Sequence, residues 1–255
     1  MEILIALGIS LFINLLMFLP AFLFKTDKLT DISYAITFVL IALYSLFSNQ
    51  MSTAAIIFAV MILLWALRLG IFLLIRVRRT GKDKRFNDKR DNFWKFGGFW
   101  LLQGISVWLI MIPSILFFSK VKINLDLVSY IGIIIWGCGL IIETVSDIQK
   151  FNFKKNLENN DRWIESGLWK YSRHPNYFGE IMLWVGIYLY VLPTLTAWES
   201  LLGAIGPIYI ATIILFVSGI PILEKSADAR WGQQNEYQNY RKRTSLLIPL
   251  PNKKL

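Results

Sequence analysis

The chain has 255 residues, is 55% hydrophobic and 15% aromatic, and carries a formal net charge of +10. Charged residues are only 17% of it and fall in short blocks between long apolar runs. That pattern excludes a soluble enzyme, a disordered chain and a secreted disulfide scaffold, and predicts an all-α, polytopic membrane protein.

Seven apolar segments follow in chain order, at about 3–24, 32–48, 53–75, 97–118, 127–145, 178–198 and 200–223. Most approach the ~20 residues that a helix needs to cross a bilayer. The first begins MEILIALG, with no basic n-region and no small-residue cleavage site, so a retained helix is expected. Pro113, Pro193, Pro207 and Pro221 fall in or near spans, which membrane helices tolerate. The single cysteine, Cys138, leaves no intramolecular disulfide and no zinc cluster.

The loops alternate in charge. Of the 27 Lys and Arg residues, 24 fall after spans 1, 3, 5 and 7. Only Lys120 and Lys122 fall on the other side, and Arg68 lies inside span 3. The positive-inside rule then predicts an outside N-terminus and a cytoplasmic C-terminus, with an odd number of spans. Much of that charge suits topology and anionic lipid heads. Two blocks exceed that need, 76–95 and 149–180. Both mix Arg and Lys with Asp, Asn, aromatics and Gly, which suits a folded surface for a polar, anionic ligand. One seven-helix membrane domain over 1–255 is expected, with no internal repeat.

Soluble nucleotide motifs are absent: there is no G-x-G-x-x-G and no G-x-x-x-x-G-K-[ST]. The only histidine, His174, cannot assemble a metal site alone, and reads mainly as a ring packed beside Pro175, with contact to a bound cofactor as the alternative. Ionisable residues at membrane depth are few. Arg68 sits in LLWALRLGIFLL, where burial demands a partner or water. Glu143 and Asp147 share a helix face at the end of span 5. Glu180 lies at the start of span 6. Asp31 lies at the start of span 2, with Tyr34 one turn on. Each also reads as an interfacial anchor, and Asp31 as a helix cap. Together they favour a polar cavity open to the cytoplasm.

The segment SRHPNYFGE (172–180) resembles the signature of a membrane superfamily of steroid 5-alpha-reductases, sterol C14 reductases and isoprenylcysteine carboxyl methyltransferases. WALRLGIFLLIRVRRTGKDKRF (65–86), FWLLQGISVWLIMIP (99–113), SDIQKFNFK (146–154) and YQNYRKRTSLLIPL (237–250) extend the likeness over nearly the whole chain. They resemble its bacterial branch with a steroid 5-alpha-reductase C-terminal domain (DUF1295), with the cofactor part over 120–255. The resemblance implies an NADPH-dependent reductase of a carbon–carbon double bond conjugated to a carbonyl, acting on a lipid or steroid-like substrate. Hydride would go to the β-carbon, and a donor in a dry site would stabilise the charge on the carbonyl oxygen. It further implies a multi-pass protein of the bacterial inner membrane, active in lipid metabolism, with no nucleic-acid partner.

Carried over by motif, the resemblance assigns Arg79, Asp147, Lys154, Arg162, Asn176, Tyr177, Glu180 and Arg241 to the cofactor. It assigns Asp31, Tyr34 and Arg68 to catalysis. Asp31 stands where the steroid enzymes carry a carbonyl-polarising Glu. Trp65 stands where they carry its Tyr partner, so Tyr34 is the available hydroxyl. The steroid enzymes' histidine near the end of the last span has no match, and Lys225 lies closest. Two other classes share part of the pattern. One is a methyltransferase using S-adenosylmethionine, which has no phosphates to neutralise. The other is a non-catalytic lipid-binding membrane protein.

Overall fold

The structure, a computed structural model, describes residues 1–80, 86–123 and 125–253, with the helix but not the side chains over 76–80. Its long helices are α1 (Glu2–Leu23), α2 (Lys28–Phe47), α3 (Thr53–Thr80), α4 (Phe93–Phe118), α5 (Leu127–Lys155) and α6 (Pro175–Val191). The last span is broken into α7 (Ala197–Gly203), α8 (Ile205–Thr212), a π-helical turn (Ile213–Val217) and α9 (Ile220–Trp231). A polar α10 (Asn235–Arg243) follows. Seven stretches are long and apolar enough to cross a bilayer, and no strand occurs among the described residues. The all-α, seven-span architecture expected from hydropathy is therefore present. Several boundaries differ, most of all in α5 and in the last span. α5 continues ten residues beyond the apolar run, because SDIQKFNFKK carries no Gly or Pro to end the helix after hydropathy has fallen. α7 to α9 break one apolar run, with Gly219 and Pro221 marking the restart.

By contacts the chain divides into two compact units: Met1–Asp126 with Val191–Gly206, and Leu127–Tyr190 with Pro207–Leu255. In the first unit, α1 buries one narrow face of Ala6, Ser10, Asn14, Phe18 and Ala21, while Leu4, Phe12, Leu19 and Leu23 stay exposed. An apolar exposed face costs nothing in lipid, so the buried face is chosen for small and polar groups that pack or bond. Gln103 Nε2 donates to Asn14 Oδ1 (2.9 Å), Ser33 Oγ (2.8 Å) and the Thr30 carbonyl (3.1 Å). Asn14 Nδ2 donates to Ser10 O and Thr37 Oγ1, and Ser10 Oγ to Gly104 O. This buried ladder ties α1, α2 and α4. Bonds of this kind average about 0.6 kcal/mol each between membrane helices.

Below it, Phe18, Ala21, Phe86, Phe96 and Trp100 form one apolar cluster. Arg90 Nε donates to Asp27 Oδ1 at 2.7 Å, both side chains buried, which pins the segment before α4 to the α1–α2 turn. On α2 and α3, Gly70 lets the helices approach, since a Cβ there would lie 3.2 Å from Ala35 Cβ. Tyr34, Phe38 and Trp65 form an edge-to-face series, at 5.0 and 4.8 Å between ring centroids.

The second unit is organised by an antiparallel pair, α5 and α6. Gly132 and Gly139 on α5 meet Gly186 and Gly179 on α6, and a Cβ on any of the four would strike backbone within 2.7 Å. Ser129 Oγ donates to the Tyr190 carbonyl (2.9 Å) at one end of the pair.

Candidate functional site

The residues SDIQK at the polar end of α5 dock the turn that follows. Gly167 has φ +60°, a left-handed conformation that glycine adopts without cost. The Gln149 amide lies against its Cα, and Gln149 Oε1 accepts the Leu168 N–H at 3.0 Å. The Ser146 carbonyl accepts Trp169 Nε1–H at 3.0 Å, and Lys150 Nζ sits 4.4 Å over the Trp169 ring. The motif thus holds the GLWK turn (Gly167–Lys170) against the helix.

The turn delivers SRHPNYFGE. Ser172 Oγ donates to the Leu247 carbonyl and accepts the His174 N–H. Arg173 N–H donates to Ser245 O, and Leu250 N–H to Tyr171 O, so the stretch after α10 runs against 171–173. Pro175 opens α6, where its missing N–H needs no partner. Tyr240 Oη donates to the Trp169 carbonyl (3.0 Å), and burial pushes the Tyr240 phenol well above its ordinary pKa.

Glu224 on α9 is the centre of charge. It accepts from Arg173 Nη1, and its Oε1 lies 2.8 Å from His174 Nε2. Arg241 Nε lies 3.9 Å away, while Arg241 Nη1 bonds Asp228 Oδ1 at 2.6 Å. Burial holds the His174 pKa below the ordinary histidine value, against the pull of the Glu224 carboxylate. The His174 ring stacks on Tyr177 at 5.8 Å.

These elements enclose a cleft of about 440 Å³, within the range of small-molecule sites. Its cations are Lys150, Lys154, Arg162, Arg173 and Arg230, against the carboxylates of Asp161 and Glu224. Its aromatic wall includes Trp163, Trp169, Trp231, Tyr237 and Tyr240. Trp163 packs edge-on to Tyr237 at 5.2 Å and to Trp231 at 6.0 Å. At the rim Arg230 bonds Asp161, whose φ is +63°, and Trp231 Nε1 donates to the Asp161 carbonyl at 2.7 Å. Cations beside flat aromatic walls suit a ligand that is both anionic and ring-bearing.

Of the residues expected at a cofactor, Lys154 and Arg162 line this cleft. Asp147, Asn176, Tyr177 and Glu180 do not line it. Asp147 is buried on α5 one turn after Glu143, whose backbone meets Gly179 of α6. Asn176, Tyr177 and Glu180 occupy the first turns of α6. Arg241 borders a shallower depression with Arg173, Gln238 and Lys242. The Arg79 side chain lies outside the described residues. In the first unit, Asp31 is in the first turn of α2, but the N-cap position belongs to Asp27. Arg68 lies over the Phe72 ring at 5.8 Å. Trp65 is fully buried against Phe38.

Sequence reasoning passed over Glu224, Arg173 and the aromatic wall. Lys225 is exposed, and its neighbour Glu224 is the residue that meets His174. The spacing of Glu224, Ala227 and Trp231 was the available signal, since it places all three on one helix face.

The fold and cleft define a multi-pass, all-helical membrane protein with a basic, aromatic-walled pocket in its second unit. The chain belongs to the DUF1295 family, described as a protein family of unknown function, which it matches over residues 17–244. No curated protein and no solved structure matches it.

Proposed function

We propose that the protein is an NADPH-dependent reductase of a carbon–carbon double bond conjugated to a carbonyl in a lipid or steroid-like substrate. The observation that carries this is the cleft, with five cations against two carboxylates beside indole and phenol rings. The donor set fits a phosphorylated dinucleotide. Lys154 and Arg162 would bind phosphate oxygens by charge-assisted hydrogen bonds, and the rings would take a planar base. Trp163 Nε1 and Arg173 Nε are buried without a hydrogen-bond partner among the described residues, so donors remain for ligand oxygens.

When bound, that cofactor supplies the hydride. The chain's own part is to hold the ligand, exclude water and steady the charge that develops on the carbonyl oxygen. The resemblance gives that last role to Asp31 and Tyr34, with Arg68 organising them, and a proton then closes the α-carbon. The positive-inside rule would place the cleft on the cytoplasmic side of an inner membrane, where NADPH is available.

The test is a titration of the purified protein with NADPH, NADH and S-adenosylmethionine, followed by energy transfer from the cleft tryptophans or by calorimetry. NADPH should bind best, and Arg162→Ala and Lys154→Ala should each weaken it about tenfold. Preference for S-adenosylmethionine would make the chain a methyltransferase. Binding of none would leave a non-catalytic lipid-binding protein.

A further inference from the structure

The His174 ring has two nitrogens with different surroundings. Nε2 faces a Glu224 oxygen at 2.8 Å. A carboxylate only accepts, so Nε2 carries the hydrogen. In the neutral ring Nδ1 is then a bare lone pair. His174 is 4% exposed, and its Nδ1 has no hydrogen-bond partner among the described residues, although the residue lines the cleft. A buried acceptor left unmatched forfeits its hydration with nothing in return. A purely structural histidine could have been anchored through both nitrogens or replaced by an apolar ring.

The same wall offers Trp163 Nε1 and Arg173 Nε, two buried donors without hydrogen-bond partners among the described residues. Phosphate oxygens suit those donors and not Nδ1, because a phosphate oxygen against Nδ1 would oppose two lone pairs. His174 therefore marks a place for a part of the ligand that carries hydrogen, such as a sugar hydroxyl, an exocyclic amine or a carboxamide.

We propose that His174 Nδ1 accepts an N–H or O–H from the bound ligand, and that Glu224 is the positioning residue that fixes the tautomer in which it can. This deepens the NADPH reading and rests on it. The charged and titratable groups around the ring are Glu224 on α9, Lys150 on α5, the adjacent Arg173, Tyr177 on α6, and Arg241 on α10 acting through Glu224. Three of these are cations, and together with burial they oppose a second proton on the ring.

The chain has one histidine, so histidine-selective ¹⁵N labelling of the full protein in nanodiscs reports this ring alone. At pH 7.5 the free protein should show a pyridine-type Nδ1 and a pyrrole-type Nε2. Saturation with NADPH should move the Nδ1 resonance toward a hydrogen-bonded acceptor and leave Nε2 in place. Adenosine 2′,5′-bisphosphate and reduced nicotinamide mononucleotide, titrated separately, show which half supplies the donor, and a shift with either supports the proposal. A pyrrole-type Nδ1 in the free protein overturns it. So does an unmoved Nδ1 while tryptophan fluorescence reports bound NADPH, and that result leaves the cofactor reading standing. Failure of NADPH to bind overturns both. Glu224→Gln should mix the tautomers and weaken NADPH about tenfold. One unchanged tautomer with unchanged affinity removes Glu224 from the positioning role. Where that variant does not fold, the wild-type titration decides.

Discussion

Gly139 and Gly179 face each other across α5 and α6 so closely that a Cβ on either would lie 2.7 Å from the other's carbonyl oxygen. Nothing flexible stands there to move aside, because the obstructing atoms are backbone. Gly139→Ala or Gly179→Ala should therefore separate the helix pair, at a cost of at least about 1–3 kcal/mol. The thermal midpoint in detergent should drop for both. Gly137 lies on the same helix with open space around it, so Gly137→Ala should leave the midpoint near wild type. Equal midpoints for Gly137→Ala and Gly139→Ala would show that the close approach is not what holds the pair.

The histidine makes stability depend on pH in a set direction. His174 has a folded pKa below its ordinary value of 6.5, so between the two values the unfolded chain binds more protons. Stability from this group is then full above about pH 6.5 and is lost as pH falls through the lowered value. The thermal midpoint of the wild type should fall between pH 7.5 and 5.5 by more than that of His174→Phe. Parallel curves for the two proteins would show that His174 is not the group responsible.

Hydropathy made the seven spans legible because lipid rewards apolar length whatever the helix packs against. It could not reveal which face of each helix is buried, since lipid and protein interior are equally apolar. The ladder of Ser10, Asn14, Thr37 and Gln103 was passed over for that reason: hydropathy averages away the few polar residues of an apolar run, although the i, i+4 spacing of Ser10 and Asn14 puts both on one face. The motif SDIQK was legible as a string and opaque as physics. Its Gln149 and Ser146 carbonyl turn out to hold the GLWK turn, while Asp147 lies outside the cleft lining. Lys154 and Arg162 were found by resemblance and charge. Glu224 was missed because its partner His174 lies fifty positions away, and no local spacing links them.

The charge asymmetry of the loops gives an orientation to test. Lys120 and Lys122 lie on the weakly basic side of the chain. Lys120 Nζ bonds Glu199 at 2.5 Å, beside a capping box closed by Thr196, so Lys120 is engaged structurally. The positive-inside rule places them outside and 149–177 in the cytoplasm. An alkaline phosphatase fusion in the 120–126 loop should be active, and one after Lys155 should not. The reverse pattern would put the basic cleft on the wrong side for cellular NADPH, and the reductase reading would fall with it.

Asp31 is not the cap of α2, because Asp27 holds that position and Asp31 lies one turn inside. Tyr34 follows on the same face, its ring edge-on to Phe38 and through it to Trp65. By the resemblance the buried indole stands where the steroid enzymes carry tyrosine, and Tyr34, one turn after Asp31, offers a phenol in its stead. If Tyr34 and Asp31 polarise the enone oxygen, Tyr34→Phe and Asp31→Asn should each slow turnover by about 10²–10³. Phenylalanine keeps the ring contact with Phe38, so packing loss would not explain the effect in the first variant. NADPH affinity should persist in both, since the cations of the cleft are untouched. The measurement is NADPH oxidation with an enone lipid that the wild type reduces, beside a binding titration on the same preparations. Turnover near wild type in both variants would remove Asp31 and Tyr34 from the chemistry. A loss of cofactor affinity equal to the loss of turnover would assign them to the fold instead.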